Sequence, residues 1–256
     1  MKSLLYKILA PLFRIVLRNS ITGKPLKGTS MKLYYDRSQH LGFLFARQIE
    51  YESEFSSIVL QYIKEGDLVF EIGSNIGQYS LQISAKIGNT GKLVCVEPDS
   101  DNFSFLSFNT SINHCTNVQL LKMAVSDHEG KSIFYKDTVT GGRMGSLIRE
   151  YSSSHFRGMA EEVEITTLPQ LISRFGHPAF IKVDVEGAED LIFYNASTID
   201  RNTTYLIEVR EETKNNIFSV FHSLGFSIYL LENKLQRMEK AEDIPGFGNL
   251  IIQFTR

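Results

Sequence analysis

The stretch Leu68–Ser80, LVFEIGSNIGQYS, decides the fold. Leu68-Val69-Phe70 is a short apolar run, β-branched and aromatic, of the kind that forms a buried strand. An acid, Glu71, sits where that run ends. Gly73 and Gly77 follow, with Ser74, Asn75 and Ile76 between them. Beyond the turn the apolar period becomes helical, and Ile76, Tyr79, Ile83 and Ile87 can share one face. The stretch reads as strand, tight turn, helix. Such a turn lets a ligand approach bare backbone near a helix N-terminus.

Two glycines also fit a structural turn with no ligand, but their spacing narrows the choice of ligand. A dinucleotide turn wants G-x-G-x-x-G, and Asn75 and Gln78 stand where its second and third glycines would be. A phosphate-binding Walker loop wants a different spacing and a lysine, and neither is present. Glu71 would repel a pyrophosphate and attract an ammonium group. The turn therefore suits a nucleoside with a positive amino acid tail.

Outward from this unit the chain alternates strands and helices. Lys92–Glu97 is a second buried strand ending in an acid. Asp99–Asn113 is a helix with Asp99 or Ser100 as its N-cap. Val118–Ala124 is a third strand. The alternation then breaks. Ser132–Lys136 and Glu162–Thr166 read as a hairpin or meander around a polar, glycine-rich insertion, residues 138–158, of a length that is usually functional or disordered. Helix Leu168–Phe175, strand Phe180–Asp184, helix Ala188–Ala196 and strand Tyr205–Glu208 resume the pattern. A helix over Glu212–Leu224 stops at Gly225. Phe226–Leu231 and Leu250–Phe254 form an antiparallel pair with a long connection. Strand–helix alternation predicts a parallel sheet.

The 256 residues are 43% hydrophobic and 22% charged, ordinary for a globular chain, and the net charge of −2 gives no general field for nucleic acid. Cys95 and Cys115 make neither a disulfide framework nor a zinc site, which fits a reducing, cytoplasmic setting. The outlier is MKSLLYKILAPLFRIVLRNS at the N-terminus. Leu4, Ile8, Leu12, Ile15 and Val16 form an apolar stripe, with Lys7, Arg14 and Arg18 on another face. The apolar run is too interrupted for a span or a signal peptide. Two readings remain: a basic amphipathic helix peripheral to the inner face of a membrane, or a helix packed on the protein itself or on a second subunit. Residues 19–30 read as a loop on Gly and Pro content. A short strand and a helix over about Glu54–Ile63 follow. Residues 1–30 are thus set apart from a single domain, 31–256.

Ligands of open α/β sheets bind outside the carboxyl ends of the strands. Glu71, Glu97, Asp184 and Glu208 fall at four such ends, which solvated strand caps alone explain less well than a site does. Glu97-Pro98 lies about where a ribose-binding acid follows a nucleoside-binding turn. Asn75 and the amides near Gly73 and Gly77 could hold the rest of a nucleoside amino acid. Ala124 and Val125, leading to Ser126-Asp127, could offer an adenine ring an apolar edge and a backbone N–H.

At this point VFEIGSNIGQYS, VEPD, ITTLPQLI and above all FIKVDVEGAED resemble the FkbM-type methyltransferases, from about Tyr51 to Phe254. The resemblance implies a Rossmann-like class I methyltransferase fold. Its sheet would be mostly parallel and seven-stranded, with an antiparallel C-terminal hairpin and a β insertion after the third strand. It implies S-adenosyl-L-methionine as cofactor, with Glu71, Gly73, Asn75 and Gly77 at the methionine end and Glu97 at the ribose. Ser74 stands where the family usually has Ala, a small-for-small exchange.

The resemblance further implies methyl transfer to a hydroxyl of a sugar, glycolipid or secondary metabolite. Asp184 and Glu186 lie where acceptor and cofactor should meet, and Glu208 lies at the next strand end; these three are the candidate catalytic residues. Glu186 and Glu189 also fit an ordinary acid-rich helix start. Asp184 and Glu208 could jointly hold Mg²⁺, but no ligand spacing demands it and no metal is expected. His40, His155 and His177 are scattered, with surface or capping roles expected, and His155 is an outside candidate for a base. The competing readings are a binding or scaffold protein with a degenerate cofactor pocket, and a nicotinamide oxidoreductase. The retained glycines and Glu97 oppose the first, and the missing G-x-G-x-x-G opposes the second.

Overall fold

The computed structural model describes residues 17, 20–44, 46–50, 58–137, 144–149, 156–232 and 234–255, with backbone only for 156–158. The N-terminal amphipathic segment, most of the 138–158 insertion and the start of the helix expected from Glu54 lie outside them. The described end of that helix is a 3₁₀ turn, Val59–Tyr62.

Residues expected to be a loop form the first strand instead. β1 (Ile21–Pro25) pairs antiparallel with β2 (Lys32–Asp36), Ile21 opposite Asp36 and Pro25 opposite Lys32. Gly and Pro suggested a loop, but an edge strand tolerates both. Tyr34 also lies over Gly23, where a Cβ would stand 2.6 Å from its ring. The hairpin crosses residue 30, where the sequence suggested a division. Its inner face buries Leu33 and Tyr35 against Leu26, Phe43, Ile49, Ile76 and Leu81.

β3 (Leu68–Ile72) and α1 (Gln78–Ile87) are the strand and helix of the opening stretch. β4 (Lys92–Val96) and α2 (Ser100–Ile112) follow, with Asp99 accepting from the N–H groups of Asp101 and Asn102 as the N-cap. The expected third strand breaks in two at Lys122-Met123. β5 (Val118–Leu121) stays in the main sheet, whereas β6 (Ala124–Ser126) joins β7 (Gly130–Asp137) and β8 (Phe156–Thr167) in a separate three-stranded sheet. Next come α3 (Leu168–Phe175), β9 (Phe180–Val183), α4 (Glu189–Ile192), β10 (Thr204–Arg210) and α5 (Lys214–Ser223). β11 (Ser227–Leu231), β12 (Leu235–Met238) and β13 (Phe247–Gln253) end the fold.

The main sheet has the order β12-β11-β13-β10-β9-β3-β4-β5. The run from β10 to β5 is parallel and the rest antiparallel. It has eight strands, one more than the expected seven, because the connection between the last two expected strands folds back as β12. Helices cover both faces. Phe70, Ile72, Val94 and Val96 pack towards α3, α4 and α5, while Val69, Leu93 and Cys95 pack towards α1 and α2. Buried on both faces, the parallel strands are apolar nearly throughout. Charge within them is therefore confined to positions with a specific partner. Among the described residues no helix is long and apolar enough to cross a membrane.

Candidate cofactor and acceptor site

The glycine turn is built from left-handed backbone. Gly73 has φ 85°, Asn75 φ 50° and Gly77 φ 91°. Asn tolerates this region because its short amide can bond locally, and here Asn75 Oδ1 accepts from the Ile76 N–H at 2.8 Å. The N–H groups of Gly73 and Ser74 both donate to the Val96 carbonyl, at 2.9 and 3.1 Å, tying the turn to the end of β4. Gly77 leads into α1, and a Cβ there would stand 2.9 Å from Leu106 of α2. Backbone sign favours glycine at both positions, and at Gly73 a Cβ would also stand 1.9 Å from the Asp184 carbonyl oxygen.

Just past β4, Glu97 is 4% exposed. Its two oxygens accept from the Asn75 N–H at 2.8 Å and the Asp99 N–H at 3.0 Å. Burial raises its pKa to about 8 against these bonds. Glu71 is placed differently from expectation. The pleat turns it to the same side as Val69 and Lys182, beneath α1, where it is fully buried. Its carboxylate accepts from the Ser80 hydroxyl and lies 3.5 Å from Cys95 Sγ. Burial raises its pKa, opposed by the Lys182 charge. It stands behind the turn and is not among the residues that line the cavity over the strand ends.

A cavity of about 460 Å³ opens over the carboxyl ends of the parallel strands. Gly73, Ser74, Asn75, Glu97, Pro98, Ala124 and Val125 line it, as do Asp184, Glu186 and Glu208. Glu71 and Gly77 support its wall from behind. The β insertion contributes Phe134, Met144 and Leu147, and β13 contributes Phe247.

The far end of the cavity is a charged cluster. One carboxylate oxygen from each of Asp184, Glu186 and Glu208 lies within 4.8 Å of the others, close enough for three carboxylates to share an ion. Two cations are already among them. Lys182, 3% exposed, lies 2.9 Å from Asp184 Oδ2 and 4.9 Å from the Tyr79 ring centroid. Arg210 Nη2 donates to Glu186 and lies 3.3 Å from Glu208 Oε1. Its guanidinium sits 5.1 Å from the Phe247 ring centroid. Burial, then the neighbouring Asp184 charge, raises Glu186 to about 8 and Glu208 to about 9. Buried Glu189, whose Oε1 accepts from the Gly187 N–H at 2.7 Å, is raised to about 7. Glu186 itself has φ 57°, and its carbonyl accepts from the Ser146 hydroxyl of the insertion at 2.7 Å.

Glu208 is not at a strand end, since β10 continues to Arg210. It reaches the cluster by pointing to the same side as Lys182. Lys182 and Arg210 were missed from sequence, yet each sits two residues from an acid in an otherwise apolar strand, in the period that puts both on one face. His40 was read as a surface or capping residue. It is buried beside the cavity and stacked on Phe43, ring centroids 6.0 Å apart. His177 is exposed and pairs with Asp200, and His155 lies outside the described residues.

The sequence model of the methyltransferase FkbM domain matches residues 71–228. No curated protein sequence matches the chain. Among solved structures, precorrin-6y C5,15-methyltransferase from Geobacter metallireducens is similar at 10% identity, with 85% of this chain and 96% of that chain covered and a TM-score of 0.50. A SAM-dependent O-methyltransferase from Thermotoga maritima is similar at 13% identity, with 89% and 76% covered and a TM-score of 0.50. Identities this low show the fold alone, that of class I methyltransferases. The domain match spans more than half of the chain: it belongs to the FkbM methyltransferase domain family, whose methyl donor is S-adenosyl-L-methionine.

Proposed function

We propose that the protein transfers a methyl group from S-adenosyl-L-methionine to a hydroxyl of a small acceptor, a sugar, glycolipid or secondary metabolite. The observation that carries this reading is the contact between Gly73 and Asp184. It sets the cofactor turn directly against the carboxylate cluster.

The residues present fit the cofactor. Glu97 offers a carboxylate to the two ribose hydroxyls, beside the bare backbone of Gly73–Asn75. Ala124, Val125 and Pro98 give an apolar wall for the adenine. With Glu71 outside the cavity lining, the ammonium of the methionine end falls to Asp184, whose backbone meets Gly73 and which lines the cavity. S-adenosyl-L-methionine supplies a methyl group on a sulfonium, whose C–S bond breaks as the acceptor's O–C bond forms, the electron pair staying on sulfur. The chain's own task is to hold the acceptor in line and to take its proton, worth about 7–11 kcal/mol and roughly 10²–10⁴-fold respectively. Burial and the neighbouring Asp184 charge favour the protonated forms of Glu186 and Glu208. The ionised form of Glu186 or Glu208 takes the acceptor's proton, so turnover should rise with pH as these carboxyls lose their own protons, and Arg210 orients both. The free thiols Cys95 and Cys115 support a reducing, cytoplasmic setting.

The test is to incubate the protein with methyl-deuterated S-adenosyl-L-methionine and a cell glycan and lipid extract, then identify labelled products by mass spectrometry. Label in a methyl ether is expected. Label on nitrogen or carbon alone would overturn the hydroxyl assignment. A chain that neither binds S-adenosylhomocysteine nor labels any product would favour the scaffold with a degenerate cofactor pocket.

A further inference from the structure

We infer that the outer face of the β1–β2 hairpin, continued by the Phe108–Ile112 side of α2, is a docking surface for an anionic lipid bilayer. Ile21 is 60% exposed, and Phe108 and Ile112 are each 45% exposed. They belong to one surface. Register puts Ile21 on the same face as Gly23 and Tyr34. The Tyr34 ring covers Gly23 and meets Phe108 edge-on at 5.4 Å, and Ile112 is one helical turn further on. Asn109 fixes α2 along β2, donating to the Tyr34 carbonyl and accepting from its N–H. Large apolar side chains grouped on a surface mark an interaction site more often than single ones do.

Charge selects the partner. Residues 1–35 hold seven Lys or Arg (Lys2, Lys7, Arg14, Arg18, Lys24, Lys27 and Lys32) and no acid, in a chain whose net charge is −2. Two of these have internal roles. Lys24 Nζ donates to the carbonyls of Phe43, Leu44 and Ala46, and Lys27 pairs with Glu50. Lys32 is exposed on the patch side of β2, and the remaining four precede the patch in the apolar–basic segment. Asp36, the acid on this face, accepts from the Ser38 N–H and hydroxyl. Apolar side chains flanked by an acid-free basic segment match an anionic headgroup layer over acyl chains.

Phe43 and Ile76, which line the cavity, pack under the inner face of the same hairpin. On the methyl-transfer reading, docking would hold the enzyme at a surface that carries lipid-linked acceptors.

The full chain, without cofactor, is sedimented with vesicles of phosphatidylcholine alone or mixed with phosphatidylglycerol. Binding to the anionic vesicles only, weakening with salt, is expected. Ile21→Ser/Phe108→Ser/Ile112→Ser should weaken it roughly tenfold with an unchanged thermal melt, and Lys32→Glu several-fold. If the triple variant fails to fold, Phe108→Ser and Lys32→Glu decide. No vesicle binding, equal binding to both vesicle types, or full binding by the folded triple variant overturns the inference. So does a dimer of the parent chain that the triple variant dissociates, which would assign the patch to a second copy. None of these outcomes bears on methyl transfer.

Discussion

A methyl group added to Gly73 would stand 1.9 Å from the carbonyl oxygen of Asp184. The turn after β3 and the end of β9 are therefore in backbone contact, and the Asp184 N–H donates to the Ile72 carbonyl at 3.0 Å across the same gap. The glycine turn and the charged cluster share this seam. Gly73→Ala must strain a backbone at φ 85° and part the two strand ends. Left-handed strain alone costs roughly 1–3 kcal/mol. The expected outcome is a lower urea midpoint together with loss of S-adenosylhomocysteine binding in a calorimeter. A variant that keeps wild-type stability and affinity would show that the seam can open freely.

Glu97 leads to a proton count. Its pKa of about 8 leaves the carboxyl protonated at pH 7 when the cavity is empty. Ribose hydroxyls donating to the ionised form would lower that pKa, so binding should release up to one proton. Calorimetry of S-adenosylhomocysteine in buffers of different ionisation enthalpy reads this directly. Affinity should also rise with pH towards about 8. Glu97→Gln should bind more weakly and release no proton. Buffer-independent heats for the parent protein would place the ribose elsewhere.

The parallel strands, the glycine turn, Glu97 and the Asp184–Glu186 corner were legible because each couples a local pattern to a fixed place in an α/β sheet. Three other features were not. Glu71 lies beside the turn, but the pleat decides which side it points to, and that phase, fixed by Val69 and Phe70 packing on opposite layers, leaves it outside the cavity lining. Lys182 and Arg210 read as single charges in apolar strands. Their roles come from neighbouring strands, which only sheet order supplies. The hairpin β1–β2 was hidden because Gly23 and Pro25 carry loop signals that a two-stranded ribbon tolerates.

The buried acids reverse the usual pH dependence of stability. Glu97, Glu186, Glu189 and Glu208 hold their protons in the folded state to about 8, 8, 7 and 9, whereas the ordinary value is 4.5. Between those limits the folded state carries protons that the unfolded chain has lost, so stability falls as pH rises. The melting temperature of the cofactor-free protein should fall steadily from pH 5 to 9. A flat or rising profile would mean that the cluster is ionised throughout.

Arg210 sets how steep that fall is. Its guanidinium bridges Glu186 and Glu208, and stacking near Phe247 adds cation–π attraction. Removing one partner of a buried ion pair costs about 3–5 kcal/mol when the other charge stays buried. Here the two carboxyls can escape part of that cost by keeping their protons. Arg210→Met should therefore be mild at pH 6 and markedly destabilising at pH 9, where Glu186 and Glu208 would otherwise ionise. Adding Glu208→Gln to Arg210→Met should restore most of the loss at pH 9 and little at pH 6, because Gln places no charge in the cluster. Thermal melts of the two single variants and the double variant at both pH values close the cycle. Equal losses at the two pH values would assign Arg210 a packing role against Phe247 instead of a charge role.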